Sequence, residues 1–473
     1  MKRPLLTLLI ISLCNIYTLA QSLEKNVEDR LKHFFSNYQT SYANIGSCNL
    51  ESYKVDHEQR KLTIYTSKSF GYQPFTPETT NHIYRLLKQS LPGPVNYYET
   101  TIYADGKPIE ELIPNYLRKK KDTGRMWKKE YTGNAWVMNL SRPYTVSKGL
   151  EGRHIALWQS HGKYYKNNKA NWEWQRPRLF CTTEDLFTQS FVVPFLIPML
   201  ENAGAVVYTP RERDWQRHEV IVDNDGNSIY QEVKSRKAKW QTTPYPGFAP
   251  TQRTLTDGQN PFETGTARFA STEKKAEKAF AQWIPQIPET GKYAVYVSYQ
   301  SLPNSVSDAK YLVFHKGGVT EFLVNQQIGG GTWVYLGSFE FDKGTNDYGM
   351  VVLSNQSKQQ GVVCADAVRF GGGMGNISRE GKISGLPRYL EGARYNAQWS
   401  GMPINVYNQT DGKNDYADDI NTRSRMINYL SGGSVYNPME KGLKVPFEMT
   451  LGVHSDAGFS KEDAIIGSLG IYT

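Results

Sequence analysis

The chain has 473 residues, 13% of them aromatic, and a formal net charge of +9. This length exceeds that of one typical domain and predicts about three domains. No segment after the N-terminal 20 residues is apolar enough to span a bilayer. The sequence therefore predicts no membrane-spanning helix after the N-terminal segment.

The first 20 residues have the pattern of a secretory signal peptide. Lys2 and Arg3 form its positive start, residues 5–13 its apolar core, and residues 18–20 its small-residue ending. Without this segment, 53 basic residues (55 − 2) remain against 46 acidic ones, a charge of +7. We expect an exported protein, periplasmic or extracellular, whose partner is an anionic envelope glycan. The absence of a nucleic-acid-binding motif argues against nucleic acid as the partner.

Three cysteines remain after the signal: Cys48, Cys181 and Cys364. Their wide spacing predicts neither a disulfide framework nor a thiolate metal site. We expect Cys181 to be a small buried apolar residue.

Residues 22–115 predict a small α+β domain without catalytic residues. A helix is expected over 23–38, strands over 50–56 and 61–67, and a second helix that begins after Thr76 and ends near Pro92. Residues 96–104 and 107–109 flank an Asp-Gly turn and predict a hairpin. We expect this domain to pack against or position the rest of the chain.

Residues 130–250 predict the first half of a mixed α/β domain. An apolar strand over 155–159 leads to His161, and Glu184 begins a helical pattern. Pro194 and Pro198 interrupt that pattern, each at an ordinary cost of about 3 kcal/mol, so we expect a kink or an irregular turn. A further strand is expected over 205–209.

Residues 255–373 predict an all-β domain inserted into the α/β domain. Six short alternating strands separated by glycine-rich turns are typical of a β-sandwich. Most of its aromatic residues should be buried, because alternating strands bury every second side chain. Trp333 follows a glycine-rich turn, and we single it out as the candidate for stacking on a sugar.

Residues 380–473 predict the second half of the α/β domain. A helix is expected over 416–430, and a strand over 445–453 delivers His454. Asp456, just beyond, would orient a ligand, bind substrate or cap the turn. Two imidazoles and one carboxylate at strand and helix ends, His161, Glu184 and His454, predict a zinc site with a fourth position for water. Each half of the domain alone lacks the full set.

At these residues the chain resembles the zinc-dependent N-acetylmuramoyl-L-alanine amidases. The resemblance covers 136–214 and 386–473 and includes a Thr-Pro-Arg run that ends in Arg211. It implies a mixed, parallel-rich sheet with helices on both faces, Zn²⁺ as cofactor, peptidoglycan as substrate, and a substrate-binding role for Arg211. The reaction implied is hydrolysis of the amide between N-acetylmuramic acid and L-alanine.

The chain departs from the amidase pattern in two places. Trp158 stands where the family usually has an Asp, three residues before the first His. No Glu after His454 matches the family's general base, with Glu462 a weak candidate. We therefore expect that base to lie beyond Thr473 and this chain to be a weak or inactive catalyst.

The inserted domain resembles the golvesin C-terminal and xanthan-lyase-type domains, which implies a carbohydrate-binding-like module. The residues that carry this resemblance are Trp283, the runs 325–337 and 365–369, and their glycine-rich turns. An alternative function is therefore a non-catalytic protein that binds envelope glycan. A polysaccharide lyase of the xanthan type is a more distant alternative.

Overall fold

The computed structural model describes residues 22–41, 45–104, 106–122, 131–146, 149–179, 181–226, 229–236, 238–250, 253–433 and 440–455. The chain divides into two compact units, Met1–Glu130 and Tyr131–Thr473. No helix in the described ranges is long and apolar enough to cross a membrane. The predicted signal peptide, Asp456 and Glu462 lie outside the described residues.

The first unit is a helix-covered four-stranded sheet, with the elements that its sequence predicts. Strands β1 and β2 pair antiparallel, β2 and β3 parallel, and β3 and β4 antiparallel. Thr76 caps the second helix with a capping box, and Pro77 occupies its first turn. The elements are α1 (22–36), β1 (Leu50–Asp56), β2 (Lys61–Thr66), α2 (Pro77–Ser90), β3 (Glu99–Ala104) and β4 (Lys107–Pro108).

The second unit contains the remaining strands and helices. Its strands are β5 (Val137–Asn139), β6 (His154–Gln159), β7 (Lys163–Lys166), β8 (Asn171–Trp174), β9 (Arg178–Leu179), β10 (Thr182–Thr183), β11 (Val206–Tyr208), β12 (Val220–Val222), β13 (Ile229–Val233), β14 (Gln241–Gly247), β15 (Gly265–Ser271), β16 (Phe280–Ile284), β17 (Gly291–Val297), β18 (Ala309–His315), β19 (Gly318–Val324), β20 (Val334–Phe341), β21 (Met350–Ser354), β22 (Val362–Ala365), β23 (Val368–Phe370) and β24 (Met449–Val453). Its helices are α3 (Glu184–Phe191), α4 (Ile197–Asn202), α5 (Ala393–Trp399), α6 (Ile404–Tyr407) and α7 (Asp415–Ser431).

Three strands from distant parts of the sequence form a parallel sheet in the order β11-β6-β24. Ile155 lies beside Val207 on one side and Met449 on the other. Alternate side chains of β6 point to opposite faces, as strand geometry requires. Ile155 and Leu157 pack against the α3–α4 segment, whereas Ala156 joins a larger core on the other face. The sequence predicted these three strands side by side, and the structure pairs them.

The helical segment after Glu184 bends at its prolines, as expected. Helix α3 ends at Phe191, a π-helical turn spans Val192–Leu196, and α4 begins at Ile197. Pro194 lacks a backbone N–H and cannot continue the regular hydrogen-bond ladder, which accounts for the wider turn. Val192 and Ile197 remain buried against the parallel sheet.

The β-rich part is a sandwich of three sheets. One sheet has six strands in the order β13-β16-β21-β18-β19-β5, the second has four in the order β12-β23-β17-β20, and the third has three in the order β14-β15-β22. Trp283, Tyr293 and Tyr311 are fully buried between them. The predicted β-sandwich is therefore present.

The predicted boundaries of the sandwich need correction. Strand β5 pairs with β19, and β12, β13 and β14 pair with β23, β16 and β15. These strands lie within 130–250, which the sequence assigned to the α/β domain. They add strands to the sandwich sheets and pair with backbone N–H and C=O groups that would otherwise be left without partners at the sheet edges. Ala156, Trp283 and Met426 also share one core cluster, so the sandwich is not a separate lobe.

Helix α7 matches its predicted position, but its buried face is strongly polar. Met426 and Leu430 are buried as expected, whereas Ile420 is exposed. Asp415 and Asp419, nearer the start of the helix, are fully buried. Cys181 is exposed, contrary to expectation, while Cys48 and Cys364 are buried; all three are free thiols.

Candidate metal centre

The end of strand β6 positions His161. Ser160 turns the chain with a φ of +37°, and its N–H donates to the carbonyl of Val453 at 2.8 Å. His161 follows and is 2% exposed. Gly162 comes next, where a Cβ atom would lie 2.4 Å from the Glu391 carbonyl oxygen. A glycine is thus required for the chain to pass this backbone so closely.

Glu184 is the first residue of α3 and is almost completely buried. A carboxylate in the first turn of a helix interacts favourably with the helix dipole. Its Oε1 accepts a hydrogen bond from the Ser455 N–H at 3.0 Å and lies 3.0 Å from His454 Nδ1. The helix start is thereby tied to the end of β24.

The three predicted ligands meet at one point. One potential ligand atom from each of His161, Glu184 and His454 lies within 4.8 Å of the other two. The Nδ1 of His161 is 3.5 Å from Glu184 Oε2, and the two imidazole rings are 4.7 Å apart. The cluster is open to solvent at His454, whose side chain is 36% exposed.

This donor set suits zinc. Imidazole nitrogen and carboxylate oxygen are ordinary zinc ligands, and a site with three protein ligands keeps a position for water. The half-exposed His454 leaves the cluster accessible from one side, as such a position requires. Residues separated by 270 positions in sequence are brought together here only by the fold.

Further polar residues surround the cluster, and the sequence did not single them out. Asp185 Oδ1 lies 3.5 Å and Ser160 Oγ 2.9 Å from His161 Nδ1. Arg176 Nε lies 3.6 Å from Glu184 Oε2. Groups of this kind orient metal ligands and tune their basicity. Asp185 directly follows the predicted ligand in the first turn of its helix, which was the available signal.

Two buried guanidinium groups hold the end of β6. Arg211 donates to the carbonyl of Gln159 at 2.6 Å, and Arg423 donates to that of Ser160 at 3.0 Å. Burial lowers the pKa of Arg211 to about 10 and also lowers the pKa of Arg423, while nearby aspartates including Asp419 act in the opposite direction. Arg423 lies on the face of α7 that also carries the buried Met426, so its charge interrupts an apolar stripe.

Two predicted substrate-binding residues are buried in structural roles, which corrects their assignment. Arg211 is 1% exposed and also donates to the carbonyls of Tyr389 and Glu391, so it fixes backbone and does not face solvent. Trp333 is 4% exposed and packs against Phe248 and Phe262, so its indole belongs to the core.

Trp158 replaces the usual Asp of the amidase pattern and lies over β24. A Cβ atom at Gly452, its partner across the strands, would come within 2.7 Å of the Trp158 indole. Gly452 therefore makes room for this ring, and the position serves packing in this chain.

Comparison with known proteins identifies the sandwich. Residues 253–372 match the family described as the Golvesin C-terminal domain, as the sequence predicted. A xanthan lyase of Bacillus sp. (strain GL1) is 35% identical over 90 residues, which are 19% of this chain and 10% of that protein. The chain thus spans about a tenth of the length of the curated relative it matches.

Two solved structures are similar over about a third of this chain. A Paenibacillus xanthan lyase is 25% identical, with a TM-score of 0.24, over 32% of this chain and 13% of that chain. The C-terminal CBM6 of LamC, a laminarinase from Zobellia galactanivorans, is 14% identical, with a TM-score of 0.20, over 33% of this chain and 99% of that chain. These comparisons match the sandwich, and the amidase resemblance has only the cluster residues in its favour. Residues 253–372 are similar to a golvesin-type domain.

Proposed function

We propose that this chain is an exported protein that binds an envelope glycan and hydrolyses the amide between N-acetylmuramic acid and L-alanine in peptidoglycan with the help of zinc. The observation that carries the hydrolytic part is the convergence of His161, Glu184 and His454. The glycan-binding part is supported by the match of residues 253–372 to the Golvesin C-terminal domain and by the partial identity to a protein named xanthan lyase.

The residues present divide the work of such a site. His161, Glu184 and His454 would hold the ion; bound zinc lowers the pKa of a coordinated water to near 7 and polarises a carbonyl. Ser160 Oγ and Asp185 Oδ1 lie 2.9 and 3.5 Å from His161 Nδ1 and would influence the orientation of this ring. The exposed side of His454 is the approach for substrate.

Expulsion of the stem-peptide amine also requires a group that transfers a proton. Such a group typically contributes about 10²–10⁴-fold to the rate. We assign this role to a carboxylate outside the described residues; Asp456 and Glu462 are the candidates within the chain.

A second candidate function is glycan binding without turnover. The comparisons favour it, since what they match is the sandwich. In that case the three-residue cluster would be structural. A polysaccharide lyase stays the more distant alternative and has only the relative's name in its favour.

The test compares the mature chain with Glu184→Gln and with the control Glu173→Gln. Glu173 carries the same functional group but pairs with Lys166 and Lys169 away from the cluster. Each protein is incubated with zinc and peptidoglycan sacculi; bound metal is measured by elemental analysis and released stem peptide by mass spectrometry. We expect one bound zinc and weak peptide release for the wild type and the control, and loss of both for Glu184→Gln.

Two outcomes would contradict the hydrolytic proposal. Equal peptide release by wild type and Glu184→Gln would show that the cluster does not catalyse the reaction. Binding of sacculi with neither zinc uptake nor release would establish the second candidate function.

A further inference from the structure

An open groove of about 800 Å³ lies on the second unit. Its floor is the irregular connector between β11 and β12, one wall is the segment after α3, and the other wall comes from the sandwich. This volume is in the range of small-molecule and cofactor sites. Its lining includes Trp215, Arg217, His218, Glu289, Lys292 and Tyr335.

Trp215 is the most unusual residue of the groove. It is 50% exposed, whereas every other tryptophan in the described ranges is at least partly buried. A large aromatic ring in contact with water leaves apolar area that a ligand can cover. Trp333, buried at 4%, lacks this property.

The groove also presents two exposed basic side chains. Arg217 and Lys292 are exposed, and neither forms an ion pair with any described residue. Arg213 pairs with Glu201 through two contacts of 2.6 and 3.0 Å. The groove also contains the carboxylates of Asp214 and Glu289, and Glu289 lies 3.3 Å from His218.

The connector that carries Trp215 is held in place by the sandwich. Asp214 accepts a hydrogen bond from the Ala294 N–H at 2.8 Å, and Gln216 accepts one from the Gly373 N–H at 2.9 Å. Arg213 stacks on Tyr335 at 4.0 Å. The groove is therefore formed before a ligand arrives, which reduces the entropy cost of binding.

We propose that this groove binds a glycan strand that bears carboxylate groups, with one sugar face on Trp215 and carboxylates near Arg217 and Lys292. A sugar ring offers C–H groups on its flat face, which suit an aromatic surface, while its hydroxyls suit the polar walls. This assignment rests on the proposed binding of an envelope glycan and names the site where that glycan would bind. Pro194 lines the groove and belongs to the helical segment that begins at Glu184. At about 1.5 Å per residue, the two positions are about 15 Å apart along that segment.

The test measures binding of the mature chain to insoluble peptidoglycan sacculi by sedimentation, at low and high salt, with an insoluble neutral β-glucan for comparison. The variants are Trp215→Ala and the double variant Arg217→Gln with Lys292→Gln. Tyr348→Ala and Lys343→Gln are matched controls, since both residues are exposed and do not line the groove. Thermal unfolding of each variant checks its fold.

We expect Trp215→Ala to bind sacculi about tenfold more weakly or worse. The double variant should lose affinity mainly at low salt, because salt screens exposed charges. Zinc content and the release of peptide from a soluble muropeptide should stay at the wild-type level in both. Wild-type affinity should be higher for sacculi than for the neutral glucan.

Other results separate the two proposals. Wild-type affinity of folded Trp215→Ala, or of the double variant at low salt, would overturn the groove assignment and leave the hydrolase proposal standing. A wild-type protein that cleaves soluble muropeptide but does not sediment with sacculi would do the same. A wild-type protein that neither sediments with sacculi nor cleaves would overturn both.

Discussion

Replacement of Gly162 by alanine should weaken metal binding without touching a ligand. The added Cβ would lie 2.4 Å from the Glu391 carbonyl oxygen, 2.5 Å from its carbon and 2.8 Å from the Gly392 nitrogen. Real Cβ contacts essentially never fall below 3.0 Å, so at least 0.6 Å (3.0 − 2.4) of movement is needed. All three atoms belong to backbone, and no flexible side chain can absorb the shift.

The shift falls on the residue next to His161. A metal site tolerates displacements of about 0.5 Å in its ligands, so the 0.6 Å required exceeds the tolerance. We expect zinc affinity to fall by about 10–100-fold, the range seen when groups that support ligands are altered. The overpacking itself should destabilise the fold by about 1–3 kcal/mol.

The assay is zinc titration by calorimetry, with the unfolding temperature recorded with and without zinc. The control is Gly349→Ala, where a Cβ would meet its nearest neighbour, Phe341, at an ordinary 3.5 Å. Gly349→Ala should bind zinc like the wild type. Wild-type zinc affinity in folded Gly162→Ala would refute the close approach of Gly162 to Glu391 as a constraint on the cluster.

Further predictions concern three other buried residues. Burial lowers the pKa of His154 to about 4. As pH falls from about 6.5 to about 4, this histidine is protonated in the unfolded chain but stays neutral in the folded one. The free energy of unfolding therefore falls by about 3 kcal/mol over that window. Urea unfolding of wild type and His154→Gln at several pH values should show this loss in the difference between them, and a constant difference would contradict it. Arg423→Met should weaken zinc binding about tenfold by calorimetry, because the Ser160 carbonyl loses its donor; unchanged affinity would assign Arg423 to packing alone. Trp333→Ala should cost about 3–5 kcal/mol in urea unfolding, and a loss under 1 kcal/mol would show that its indole is not part of the core.

Local patterns were sufficient to predict most elements and the convergence of His161, Glu184 and His454. His161 and His454 each follow an apolar strand, and carboxyl ends of parallel strands are where ligands gather in α/β sheets. Glu184 begins a helix with acidic residues in its first turn. The prolines at 194 and 198 predicted the bend that the π-helical turn makes. These features involve residues that are close in sequence, so the sequence alone reveals them.

What the sequence could not reveal depends on which surfaces meet. The short strands of 220–247 alternate like any strands, and only the edges of the sandwich determine their partners. Trp333 and Trp215 are the same residue type beside polar or glycine-rich segments, yet one is buried and the other exposed. Arg211 stands at a motif position of the resembled family, but its guanidinium donates hydrogen bonds to three backbone carbonyls.

The 270-residue separation of Glu184 from His454 sets the order in which the three-residue cluster can be assembled. A ribosome adds about 5–20 residues per second, so His454 follows Glu184 by roughly 15–50 s. During that interval β6 lacks its neighbour β24, and its unpaired edge is open to wrong partners. The sandwich strands are complete before His454 is made. The proposed zinc site can therefore be completed only after the intervening domain has been made.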